Sequence, residues 1–266
     1  MTAYAMTAHW GAYMLATHGG AGHWLSGRWH APAAFIGLSL ALDRLAPGWI
    51  LQKLRYMLFR ISERFYEWRF GIVSDAEILI DALGITDAAC HDYLATGYLR
   101  FRQVMKLIAI RDGRDVFLDF GSGMGRAVVL AATYPFDKVI GVEIAPSLHA
   151  LATENVRRAL KKLRCRDIEL HNVDARAFAI PPEVTVIYMW NPFAGDILNA
   201  VLANIQRSLA ESPRALTILH LSPENPTNLD VIADRFPWLN EFKRVRLGAH
   251  SLAVIYTCGA VAALAV

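Results

Sequence analysis

Apolar residues along this chain come in two kinds of run. Residues 116–120, 138–143, 184–190 and 215–222 are short, largely apolar segments bounded by turn-forming residues, and 168–174 is a more polar run with Ile168, Leu170 and Val173 as its apolar positions. Runs of this length predict strands buried on both faces of a sheet. Between them, residues 127–132, 146–162, 195–209 and 229–236 place apolar side chains at three- and four-residue intervals and predict helices. Pro146 stands at a first-turn position, where a proline suits a helix start. Strand and helix alternating in this way predict an α/β fold with a mostly parallel sheet. The last two runs, 242–247 and 251–257, are separated by Gly248, Ala249 and His250. That predicts a tight hairpin and an antiparallel last strand, the seventh of the sheet.

The chain before residue 90 is patterned differently. Over residues 49–70, Leu51, Leu54, Leu58, Ile61 and Phe65 recur at helical spacing, with Lys53, Arg55, Arg60 and Arg64 between them. The basic residues read first as the solvated face of a helix; a basic amphipathic helix also suits anionic lipid or an acidic partner. Residues 75–83 and 98–110 read as two more helices. Residues 31–42 form an apolar run of about 12, short of the ~20 that span a bilayer. Residues 1–30 show no steady period. His9, His18, His23 and His30 stand among tryptophans at intervals too irregular for a metal site, so the segment reads as a loosely packed tail. Residues 1–90 are thus an N-terminal extension, tail then helical cap, and residues 91–266 the domain that carries the sheet.

Candidate chemistry begins where the first strand of the domain ends. Asp119 lies in that strand, and Gly121, Ser122, Gly123 and Gly125 form the turn into the next helix. Glycines there let the backbone and a helix N-terminus approach a ligand closely. A dinucleotide fingerprint, G-x-G-x-x-G/A, requires a small third residue at 126, but that residue is Arg126. The second strand closes on Glu143, 24 residues after Asp119. An acid at that tip can accept both hydroxyl hydrogens of a ribose. The third run ends in Asp174 and Ala175; Asp174 also suits a helix cap. The fourth ends in Asn191-Pro192-Phe193, which is also a common turn opening.

The pattern D-x-G-x-G-x-G at 119–125 resembles the first motif of class I S-adenosylmethionine-dependent methyltransferases. With Tyr93-Leu-Ala-Thr96-Gly-Tyr98 upstream and Asn191-Pro-Phe-Ala194 downstream, residues 90–222 are similar to the non-SET histone-lysine methyltransferases of the telomeric-silencing-disruptor class. Many bacterial methyltransferases of unassigned substrate look similar. The resemblance implies a Rossmann-like sheet and S-adenosyl-L-methionine as cofactor. It implies that Tyr93, Thr96, Asp119, Gly121, Ser122, Gly123, Gly125, Glu143, Asp174, Ala175 and Asn191 contact that cofactor. Asp119 would stand near the methionine amino group, Gly121 and Gly123 would give room, and Asp174 and Ala175 would meet the adenine. Asn191, Phe193 and Tyr98 would form the catalytic side, Asn191 orienting the acceptor through its carbonyl. The chain departs from the pattern at Ala95, where the class has a glutamate, and at Pro192, where it has a second asparagine.

Composition narrows the picture only a little. A net charge of +3 is too weak to argue for nucleic acid. Cys90, Cys165 and Cys258 are scattered, which predicts neither a disulfide frame nor zinc and a reducing, cytoplasmic setting. The positive mean hydropathy leaves room for interfacial membrane contact through residues 31–70. An amine acceptor can lose its proton to solvent, so no strong base is required; a hydroxyl acceptor would draw on Tyr93 or His220. Three readings follow: a methyltransferase for nitrogen, with protein lysine among the acceptors; a methyltransferase for an apolar small molecule; and a non-catalytic module docking through residues 51–70.

Overall fold

The computed structural model describes residues 48–223, 227–247 and 251–259. The histidine- and tryptophan-bearing stretch 1–30, the apolar run 31–42 and the hairpin residues 248–250 lie outside the described residues. Helix α1 spans Gly48–Phe70. A two-stranded antiparallel ribbon follows, β1 (Glu77–Ile78) with β2 (Tyr93–Leu94). Then come α2 (Tyr98–Met105), β3 (Val116–Phe120), α3 (Arg126–Ala131), β4 (Lys138–Glu143), α4 (Pro146–Ala159) and β5 (Ile168–Asn172). The chain continues through β6 (Val184–Trp190), α5 (Gly195–Glu211), β7 (Leu216–Ser222), α6 (Asn228–Ile232), β8 (Asn240–Arg246) and β9 (Leu252–Cys258).

Seven strands form one sheet in the order β5-β4-β3-β6-β7-β9-β8. The first five run parallel, and β9 is antiparallel to both β7 and β8. The α/β class, the seven mostly parallel strands and the helical extension are therefore present as the sequence pattern predicts. Every residue of β3 and of β7 is buried, as continuous apolar runs require. Alternation within β3 divides the core. Phe117 packs with Tyr188 and the α2 residue Phe101 on one face; Leu118 and Phe120 pack toward α5 on the other.

Three local expectations are corrected. Residues 75–83 do not form a helix. Glu77 and Ile78 pair with Leu94 and Tyr93, and Asp92 Oδ1 accepts the Ile80 N–H, so the backbone bonds run across to another strand. A short 3-10 turn, Ile80–Leu83, ends at Gly84. Helix α2 stops at Met105 rather than 110. The apolar stripe of α1 is not its buried face: Ile61 and Phe65 are exposed, whereas Glu63, Tyr66 and Phe70 are buried. Tyr66 stacks on Tyr98 with ring centroids 4.9 Å apart. Among the described residues, no helix is long and apolar enough to cross a membrane.

Candidate functional site at the glycine turn

The carboxyl ends of β3, β4, β5 and β6 lie side by side at one edge of the sheet. Gly121, Gly123 and Gly125 all adopt left-handed backbone, with φ of +73°, +54° and +78°, which only glycine enters cheaply. Two of them are also needed for close approach. A Cβ on Gly121 would lie 2.4 Å from Pro192 Cβ, and one on Gly123 would lie 2.2 Å from the Tyr93 ring. The side-chain space at these two glycines is thus held by Pro192 and Tyr93. The β6 tip and the β2 loop clamp the turn from either side.

Two buried carboxylates meet the turn. Glu143 accepts the Gly123 N–H at 2.8 Å and the Ala145 N–H at 2.9 Å. Burial pushes its carboxyl up, and these N–H groups partly offset that. A carboxylate has about four lone-pair sites, so further donors can still be accepted. Asp119 is buried more completely, and burial, with the Glu143 charge second, holds its carboxyl well above the usual aspartate range. That state favours a cationic partner, which would restore the charged form.

The two acids open into adjoining clefts. Glu143 lines the larger one with Ile144, Asp174 and Ala175; Asp119 lines the smaller one with Ser122 and Thr96. Tyr93, Leu94, Gly121 and Trp190 border both. An elongated ligand with a cationic end at Asp119 and hydroxyls at Glu143 fits this arrangement. The segment 80–94 roofs the larger cleft through Ile80, Leu83 and Ile85. It is fastened to the β6 tip where His91 N–H donates to Pro192 O and Ala194 N–H to Ala89 O, at 3.1 and 2.8 Å. Asp174 caps a turn and not a helix. It accepts the Arg176 N–H in a local turn and lines the larger cleft. Its hydrogen bonds from the Arg176 side chain hold its carboxyl below the usual range, and Arg176 also pairs with Asp87 of the roof at 3.0 Å.

Several sequence-predicted residues sit elsewhere. Tyr98 is fully buried between Tyr66 and the guanidinium of Arg126, which lies 4.4 Å from its ring centroid. It lines neither cleft, so it is a packing residue and not a wall of the site. Asn191, at φ +42°, also lines neither cleft. Its side-chain oxygen accepts from Asn228 Nδ2 at 2.9 Å, and its backbone carbonyl accepts from His91 Nδ1 at 2.7 Å. Its side-chain carbonyl is therefore already engaged. Phe193 is buried edge-on to Phe120 and lines the larger cleft. Thr96 lines the smaller cleft and shares a 2.7 Å hydrogen bond with the Tyr188 hydroxyl.

Neither base suggested for a hydroxyl acceptor is positioned as one. The Tyr93 hydroxyl donates to Ser74 O at 2.9 Å, and burial pushes its pKa up. The two ring nitrogens of His220 have no hydrogen-bond partner among the described residues, and burial lowers its pKa to about 4. The sequence reading missed Trp190, which borders both clefts, and the surroundings of Arg126. Arg126 ion-pairs with Glu63, donates to Ser74 Oγ at 2.8 Å and to Thr96 O at 3.2 Å, and reaches Glu67 at 3.3 Å. One signal was present: a cation in the first turn of a helix opposes the helix dipole, which calls for a compensating acid.

The sequence model of a family described as Histone methylation protein DOT1 matches residues 94–234. Among solved structures, the chain is similar to an RNA methyltransferase from Salinibacter ruber in complex with S-adenosyl-L-homocysteine. The identity is 22%, with a TM-score of 0.46, over 62% of this chain and 94% of that one. It is also similar to a SAM-dependent methyltransferase from Aquifex aeolicus, at 16% identity and a TM-score of 0.46, over 59% of this chain and 89% of that one. A third similar structure is the N-methyltransferase NodS from Bradyrhizobium japonicum, at 12% identity and a TM-score of 0.46, over 61% of this chain and 96% of that one. No curated protein matches the chain in sequence.

Proposed function

As the chain belongs to the DOT1 histone methylation family, and with it is an S-adenosylmethionine-dependent methyltransferase, we propose that its acceptor is a nitrogen, with protein lysine as the first candidate. The observation that carries the reading is the place of Trp190, at the tip of β6 and on the border of both clefts. A nitrogen that gains a methyl group becomes cationic, and an aromatic face beside it stabilises that charge by cation–π attraction. A hydroxyl oxygen that gives up its proton ends neutral and would gain nothing comparable.

Bound across the two clefts, the cofactor supplies a methyl group already activated on a sulfonium. The protein then contributes position and exclusion of water. Asp119 takes the amino end and Glu143 the ribose hydroxyls, with Asp174 and Ala175 beside the adenine. Pro192 and Tyr93 fix the glycine turn, while the roof 80–94 shuts out solvent. Asn191 acts through the backbone by shaping the turn that presents Trp190 and Phe193.

The test is transfer from radiolabelled cofactor to three separate pools: cell protein, RNA and small molecules. Label recovered as methyl-lysine after protein hydrolysis is the expected result. Label only in RNA or only in small molecules overturns the lysine acceptor. An apolar small acceptor would be the leading alternative then, because Ile80, Leu83 and Ile85 face the larger cleft.

A further inference from the structure

Helix α1 is amphipathic in the wrong sense for a helix packed on a domain. Trp68 is 78% exposed, Met57 50%, Ile61 47% and Phe65 45%, and Ile50 is exposed as well. At 100° per residue these five positions fall on one side of the helix. They form a stripe roughly 27 Å long, from the 18 rises of about 1.5 Å between Ile50 and Trp68. The opposite side holds Glu63, Tyr66 and Phe70, packed against the domain.

The charges of the helix are sorted too. Its two acids, Glu63 and Glu67, turn inward to the buried Arg126. Lys53, Arg64 and Arg69 are exposed, and Arg60 reaches out to Asp75. Lys53, Arg60 and Arg64 flank one edge of the stripe and Arg69 the other. Lys162 adds a cation at the same end, its Nζ donating to Arg69 O at 2.5 Å. An apolar band edged mainly by cations, with Asp75 paired to Arg60 as the acid at its margin, has a specific complement, a hydrocarbon layer beneath anionic headgroups. A second copy is a poor occupant, because its cations would face these. Residues 1–46 offer one acid, Asp43, against the basic edge. The sequence just before the helix, 31–42, adds apolar residues and no charge.

We propose that the outer face of α1 docks the enzyme on an anionic membrane surface, with Met57, Ile61, Phe65 and Trp68 entering the interface and Arg64 and Arg69 meeting headgroups. The inference is independent of the acceptor proposed above. The experiment is vesicle flotation of the full chain with phosphatidylcholine, with and without phosphatidylglycerol. Binding should favour the anionic vesicles by tenfold or more, and added salt should weaken it. Ile61→Asp and Trp68→Asp should each lower partitioning about tenfold. Arg64→Gln should lower it about fivefold on anionic vesicles only. Affinity for S-adenosylhomocysteine should stay unchanged in all three, which shows that the variants fold. Absence of vesicle binding by the parent chain overturns the proposal, as does equal binding by the Asp variants. A parent dimer that Trp68→Asp converts to monomer, without vesicle binding, overturns it in favour of self-association.

Discussion

Arg126 and Glu63 form an ion pair that is nearly excluded from solvent on both sides, their side chains 2% and 1% exposed. It joins the residue just after the last glycine of the turn to helix α1, 63 positions earlier. The same guanidinium touches the backbone of Thr96 and the face of Tyr98. One side chain thus ties the extension, the β2–α2 loop and the cofactor turn together. Removing one partner leaves the other charge buried and unpaired. Arg126→Met should cost about 3–5 kcal/mol in urea unfolding. The double variant Arg126→Met/Glu63→Leu should recover much of that loss. A single-variant cost below about 1 kcal/mol would show that water reaches the pair.

Gly123 and Gly84 separate strain from crowding. Both have positive φ, but a Cβ at Gly84 meets nothing within 4 Å, whereas one at Gly123 meets the Tyr93 ring. Gly84→Ala should cost only the left-handed strain, about 1–2 kcal/mol, and leave S-adenosylhomocysteine binding intact. Gly123→Ala should also displace Tyr93 and weaken that binding by tenfold or more in calorimetry. Equal effects on binding would mean that Tyr93 yields freely.

Asp119 predicts a pH dependence of cofactor binding. Its carboxyl is raised in the folded protein by burial, with the Glu143 charge adding to it. Ionising it without a ligand therefore costs stability, and this cost grows as pH rises from about 3.9 toward the raised value. A cationic ligand group relieves the cost. Affinity for S-adenosylhomocysteine should rise with pH across that window, with proton release on binding. Asp119→Asn should bind more weakly and abolish the dependence. Identical proton release in the variant would assign the titration to another group.

His220 predicts the opposite slope for stability. Its folded pKa is lowered to about 4, against about 6.5 unfolded. The unfolded chain therefore binds the proton first. Stability is intact above pH ~6.5 and is lost as pH falls toward 4, by about 3 kcal/mol in all. His220→Leu should flatten the unfolding profile over that range. It should also leave methyl transfer near the parent rate, because His220 lines neither cleft. Loss of turnover with cofactor binding intact would return His220 to the catalytic groups.

The local pattern made the sheet and the core of the site legible. Strands β4 and β6 begin and end where their apolar runs do, and the glycine turn with Asp119 and Glu143 stands where the spacing puts it. Residues 75–83 misread because cross-strand bonds to Tyr93 and Leu94 outcompeted a helical register. Tyr98 and Asn191 misread because a motif position states which residue is present, and not which neighbour captures its side chain.

By itself, the sequence determined the α/β alternation, the left-handed glycine turn and the two acids at the strand ends. Each of these depends on residues close together in the chain, through periodicity or backbone sterics. Only the tertiary structure decided which side of α1 faces inward, what neutralises Arg126, and which side chains crowd Gly121 and Gly123. Those outcomes rest on partners distant in the chain: Glu63 with Arg126, Pro192 with Gly121, Tyr93 with Gly123. Burial of a charge and close packing are properties of such pairs, so no reading of one segment alone contains them.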